Sequence, residues 1–179
     1  MKIKTQLPTI SKVYFLPAVI LTIVLLTSVT FAIARGYNSN DNGIKPGMAV
    51  MLTESSGDQN QEVVRASSDS PERFVGVTKT ANESAVAIGS KGQQVFVENE
   101  GEVQAYVSDV LGDVKENDQL TLSPVAGVLA KAGASTNLII GTAIEDFDRS
   151  KSKEYSIDSP QGRQSVQIAT IKINLNPKI

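Results

Sequence analysis

The chain has 179 residues, with 17 basic and 19 acidic side chains, a formal charge of −2, and neither histidine nor cysteine. That composition excludes disulfides, a Cys/His zinc centre, a thiol nucleophile and every catalytic triad built on a histidine base. Apolar residues make up 41%, but only 5% are aromatic and Trp is absent, so Val, Ile, Leu and Ala must fill the core, which suits paired strands.

Residues 1–12 form a basic tail carrying Lys2, Lys4 and Lys12. From Val13 to Ala34 run 22 residues without a charge. At about 1.5 Å per residue a helix of that length reaches roughly 33 Å, enough for a bilayer core of about 30 Å. The run is read as a transmembrane α-helix, because lipid forces the backbone to satisfy its own hydrogen bonds. Three lysines precede it and only Arg35 follows at once, so the N-terminus is expected in the cytoplasm and the C-terminal domain outside, as a single-pass membrane protein. Ala32-Ile33-Ala34 also fits a small-x-small cleavage pattern, which leaves secretion after cleavage near Ala34 as the alternative. The polar stretch 35–43 reads as a linker.

Residues 44–179 read as one extracytoplasmic all-β domain, a compact sandwich or barrel of about ten short strands. Apolar runs alternate with turn residues at intervals of about 8–12. Strands are expected at Ala49–Thr53, Glu62–Ala66, Phe74–Lys79, Ala85–Ile88, Gln94–Glu98, Glu102–Ser108, Gln119–Leu122, Val128–Lys131, Ile139–Ile144 and Ser165–Asn174. Gln94–Ser108 has the pattern of a hairpin. Val95 and Val97 alternate on one arm, Val103, Ala105 and Val107 on the other, and Gly101 supplies the positive φ of the loop. In the last strand the apolar set changes phase after Ile168. Either a β-bulge near Ala169-Thr170 restores one face, or the strand is buried on both. Asp146 to Gly162 reads as a long polar loop.

Two segments, about 43–80 and 112–145, repeat one another. Gly43-Ile44-Lys45-Pro46-Gly47 and Asp113-Val114-Lys115-Glu116-Asn117 each lead into an alternating strand. Arg65-Ala66 and Lys131-Ala132 each end a second strand, and Val75-Gly76 and Ile140-Gly141 lie in a third. This predicts an internal duplication about a pseudo-twofold axis, with Gly76 and Gly141 where backbones approach closely. Asp113 to Ser123, Gly127 to Ala132 and Ile139 to Glu145 together resemble a β-module of phage tail-fibre and bacterial surface proteins, similar in layout to the peptidase G2-type domain. The likeness covers roughly residues 84–145. It implies assembly or display on an appendage or cell surface, often as a trimer. No stretch matches a self-cleavage motif, so no cleavage residue carries over.

Two clusters stand out as interaction candidates. Glu98, Glu100 and Glu102 crowd the expected hairpin tip, where carboxylates either hold a hard cation loosely or simply keep the tip solvated. The EF-hand spacing is absent, so no metal is expected. Asp146, Phe147 and Asp148 open the long polar loop, the expected contact surface. Two further chemistries use residues of the same region. Asp146 with Asp148 has the composition of a glycosidase pair, and Ser123 with Lys131 that of a Ser–Lys dyad. No cofactor motif is present and none is expected. From Gly36 onward lie 13 of the basic residues and all 19 acidic ones, a net of −6, which disfavours nucleic acid and anionic lipid heads as partners. The expected function is a membrane-anchored, surface-displayed structural or protein-interaction module without catalytic activity. It would contact another protein or itself, with homo-oligomers helped by the Thr/Ser/Ala-rich half of the anchor. The alternative is an anchored hydrolase acting on cell-wall polymer or on its own chain.

Overall fold

In the computed structural model, residues 35–54, 61–79, 93–159 and 162–178 are described. The expected anchor at 13–34, its basic tail, and the expected strand Ala85–Ile88 lie outside them. Among the described residues no helix is long and apolar enough to cross a membrane.

Among the described residues eleven strands are formed: β1 (Arg35–Ser39), β2 (Ala49–Leu52), β3 (Val63–Arg65), β4 (Phe74–Thr78), β5 (Gln93–Glu98), β6 (Gly101–Ser108), β7 (Gln119–Leu122), β8 (Leu129–Lys131), β9 (Ile139–Ala143), β10 (Lys153–Ser159) and β11 (Gly162–Lys178). β1 to β5 form one sheet, ordered β1-β5-β4-β2-β3. A parallel bridge from Asn38 to Glu62 brings its two ends together. The remaining strands form a second sheet, β10-β11-β6-β8-β7-β9, which closes through β11 and β9 into a five-stranded barrel with β10 outside it.

The two halves share one plan. β2 and β7 are the central strands of their three-strand motifs, and their registers coincide. Val50 lies opposite Arg65 and Gly76. Leu120 lies opposite Lys131 and Gly141. Val77 pairs with Glu98 on β5 as Thr142 pairs with Asn174 on β11. The turns match as well. Met48 N–H donates to Lys45 O at 3.1 Å and Asp118 N–H to Lys115 O at 3.0 Å. Gly47, at φ +89°, stands where Asn117 stands at φ +68°. Each half buries the residues this register turns inward. Tyr37, Ile44, Val50, Val63, Val95 and Val97 fill the first; Ala105, Val114, Leu120, Leu129, Ile171 and Ile173 lie in the core of the second.

The halves are locked together by backbone and by small side chains. Ala49 N–H donates to Gly127 O at 2.9 Å, Gly127 N–H to Ala66 O at 2.7 Å, and Tyr106 N–H to Gly47 O at 2.8 Å. Ala49, Ala66 and Val77, on the first half, join the core cluster of the second. Their register counterparts Gln119, Ala132 and Thr142 are exposed or half-buried. The face is therefore apolar in the half that docks onto its neighbour and more polar at the matching positions of the other half.

Four expectations are corrected. The stretch 35–43 is not a free linker: β1 occupies its first five residues and pairs with β5, with Tyr37 and Ser39 turned inward. Its low hydropathy hides the strand because one of the two buried side chains is a serine, whose hydroxyl donates to Val63 O at 2.6 Å. β5 and β6 are not a hairpin. They belong to different sheets, and Asn99-Glu100 carries the chain across from one to the other, with Gly101 at φ +88°. The polar segment after Asp148 holds β10, paired residue by residue with β11 from Lys153–Ile168 to Ser159–Gly162. Last, β11 keeps an unbroken register with β6 from Ile168 to Leu175, so no bulge lies at Ala169-Thr170. The strand instead buries opposite faces in its two halves. Val166 and Ile168 pack with Val128 against Tyr106, Val125 and Ile157, while Ala169, Ile171, Ile173 and Leu175 enter the main core.

Candidate functional site

The crossover between the two halves borders a cleft of about 490 Å³, lined by Pro46, Gly47, Thr78, Lys79, Glu98, Glu102, Val103, Gln104 and Thr170. Its floor and walls follow from the registers above. Thr78 is fixed because its hydroxyl donates to Lys45 O at 2.6 Å while its own N–H meets Met48 O. Lys79 continues past β4 and is held by its N–H to Phe96 O at 2.9 Å. Gly47 approaches β6 so closely that a Cβ there would stand 3.3 Å from Gln104 O.

Glu98 is the unusual member. It is only 3% exposed, yet it is the last residue of a strand whose sequence suggests a solvated tip. Its carboxylate accepts from the Lys79 ammonium at 2.5 Å. The Lys79 side chain remains 57% exposed and Glu98's only 4%. Burying a carboxylate costs several kcal/mol unless a partner offsets it, and Lys79 is the partner here. Of the other two glutamates, Glu100 is exposed. Glu102 is also exposed, reaches the cleft, and pairs loosely with Lys172 at 3.7 Å. The three carboxylates therefore do not act as one tip. Glu98 is buried at the end of β5 and lines the cleft on the face opposite Val95 and Val97, and Glu102 stands on β6, the first strand of the second half.

Asp146, Phe147 and Asp148 are separated in role. Phe147 is 8% exposed and packs into the main core, anchored by its N–H to Val114 O at 3.0 Å; the expectation that it forms part of a contact surface fails because its ring supplies core volume. Asp146 accepts from the Glu116 N–H at 2.8 Å, and this bond chiefly holds its carboxyl below the usual range. Asp148 caps the short turn Arg149–Lys151, accepting from the Ser150 hydroxyl at 2.6 Å and its N–H at 2.9 Å. Those two bonds likewise lower its carboxyl. Asp148 thus serves its own local turn, while Asp146 ties its loop to the turn that carries Glu116, 30 residues earlier. Arg149 bridges Asp113 at 2.7 Å and Asp109 at 2.9 Å. Its contact with Asp113 lowers that carboxyl and raises the guanidinium.

Ser123 and Lys131 do not meet. Ser123 is fully buried, accepts from the Val125 N–H, and faces the Ser108 hydroxyl at 3.3 Å. Lys131 lies opposite Leu120, three residues back along the strand direction, or roughly 10 Å at about 3.3 Å per residue. Its ammonium is 2.7 Å from Asp118, whose carboxyl it holds down, aided by the Lys115 N–H. The first half has a matching pair, Arg65 with Asp41 at 2.8 Å. There burial pushes the Asp41 carboxyl up, but the bonds from Arg65 and from the Gly43 and Arg65 N–H groups together outweigh it, leaving it lowered.

Lys79 is the residue that sequence reasoning missed. It lies 19 positions from Glu98, and the one linear signal is the repeat itself: where the first half has Lys79 and Glu98, the second has Ile144 and Asn174. The chain matches no family model and no curated protein.

Proposed function

We propose that the protein is a membrane-anchored, extracytoplasmic structural or protein-interaction module without catalytic activity, with its N-terminus in the cytoplasm and its β domain displayed outside. The observation that carries this reading is the junction at Arg35. The uncharged 22-residue run ends at Ala34 and the first strand of the domain begins at the next residue. A run of that length fits a bilayer core of about 30 Å, and the basic residues before it favour a cytoplasmic N-terminus. The likeness of Asp113–Glu145 to the β-module of tail-fibre and surface proteins points the same way, toward display, with self-association or a protein partner as the purpose. Two closed, interlocked β units make a stiff carrier on which loops and crossovers present the contact groups.

Membranes bearing the full chain test the reading. After an alkaline wash the protein should stay in the pellet at its full 19.1 kDa, and protease added from outside should remove the β domain. Crosslinking on intact cells should then give a multiple of the chain or an adduct with a partner. A soluble species beginning at Arg35 overturns the anchor, and a chain that never crosslinks overturns the interaction role.

A further inference from the structure

The Lys79–Glu98 pair is not dictated by the strand register that contains it. The same register positions in the second half are occupied by Ile144 and Asn174: Lys79 N–H donates to Phe96 O as Ile144 N–H donates to Lys172 O, both at 2.9 Å, and Val77 opposes Glu98 as Thr142 opposes Asn174. The strand register therefore does not require charge at this place, although Asn174 is exposed where Glu98 is buried. Replacing both partners of such a pair by neutral groups of similar size need cost little stability, and here only the Glu98 carboxylate is held out of water while Lys79 stays open to the cleft. The pair occurs only in the half where the cleft opens.

The cleft offers groups of both signs. Lys79 has three donors and gives one to Glu98, which holds the ammonium in place while more than half of its side chain stays open to solvent. Glu102 presents a carboxylate from β6 whose loose contact with Lys172 is readily exchanged. Gln104 and Thr170, both exposed, add an amide and a hydroxyl. The volume of about 490 Å³ lies within the range of about 300–1,000 Å³ typical of small-molecule sites. We propose that this cleft binds a small zwitterion, a molecule carrying a primary ammonium and an oxyanion a few bonds apart, with the oxyanion on Lys79 and the ammonium on Glu102. Glu98 is a positioning residue that fixes Lys79. The inference does not depend on membrane anchoring.

The test titrates detergent-solubilised full chain with O-phosphoethanolamine, ethanolamine and inorganic phosphate, following the backbone amide resonances of Thr78, Lys79 and Gln104. The zwitterion should bind about tenfold or more tighter than either half. The decisive variant carries the second half's own residues, Lys79→Ile with Glu98→Asn. It should melt at the temperature of the parent chain and lose binding by about tenfold or more. Glu102→Gln should weaken the zwitterion but leave phosphate unchanged. A chain that binds none of the probes, phosphate binding as tightly as the zwitterion, or a double variant that binds normally each overturns the proposal. So does a double variant that unfolds, since the pair is then structural. Nanodiscs distinguish the source. Resonance shifts in phosphatidylethanolamine bilayers without added ligand assign a lipid headgroup, and their absence beside soluble binding assigns a free zwitterion.

Discussion

Gly76 and Gly141 hold the same position in two different halves of the molecule. Each faces the central strand of its motif, at Val50 and at Leu120. A Cβ on Gly76 would stand 2.2 Å from Glu98 O, and one on Gly141 2.3 Å from Asn174 O. Neither glycine is there for a positive φ. Both are there because a neighbouring backbone leaves no room for a side chain.

Gly76→Ala and Gly141→Ala should therefore each destabilise the domain by about 3 kcal/mol, at the upper end of overpacking costs, because the obstructing atom is a backbone carbonyl that cannot rotate away. Urea unfolding of each variant measures this. A loss under about 1 kcal/mol would mean that the strands separate easily at these points.

Ala49 and Gln119 share a register position but not an environment. Ala49→Gln should cost about 3 kcal/mol, since it forces an amide into the contact between the halves. Gln119→Ala, on the exposed counterpart, should stay within about 0.5 kcal/mol of the parent chain. Equal effects in the same denaturation experiment would contradict the asymmetry of the two faces.

Phe147→Ala should destabilise by about 3 kcal/mol or more, the usual range for an aromatic removed from a core. Asp148→Ala should cost much less, since it removes only a turn cap on an exposed segment. Thermal melts of both variants compare them directly, and a Phe147→Ala chain as stable as the parent would place the ring at the surface.

Asp41 and Asp118 both have carboxyls held below the ordinary 3.8. They bind fewer protons folded than unfolded, so the stability they contribute is present above about pH 4 and is lost as pH falls through their lowered folded values. Unfolding free energy should drop between about pH 5 and pH 2. Asp41→Asn retains an acceptor for the Gly43 N–H, made at 2.9 Å, but removes the titrating group. It should lower stability at pH 7 by about 1 kcal/mol, the scale of a half-exposed charged hydrogen bond, and flatten the acid limb. An unchanged pH profile would show that Arg65 gains nothing from this contact.

The positions of most strands, though not of β1 and β10, were legible in the sequence, because alternation is a local property: an inward-facing residue and its neighbours two away are fixed by the pleat alone. β2, β7 and β9 begin where the pattern begins, and the repeated turn, basic-Ala and apolar-Gly motifs recur in matching registers. The absence of His and Cys likewise excluded thiol and histidine chemistry at once.

Partner choice was not legible, because hydrogen bonding between strands is non-local. Val95 and Val97 followed by Val103, Ala105 and Val107 read the same whether the strands pair with each other or cross to separate sheets. The tertiary structure decided for the crossover, and with it placed Glu98 beside Lys79 instead of in water. It also decided that Tyr37 and Ser39 complete a strand, and that Phe147, flanked by two aspartates, belongs to the core. In each case the neighbours are 19 or more residues away or supplied by another sheet. The sequence states which side chains seek burial or charge compensation; only the folded chain determines what stands opposite them.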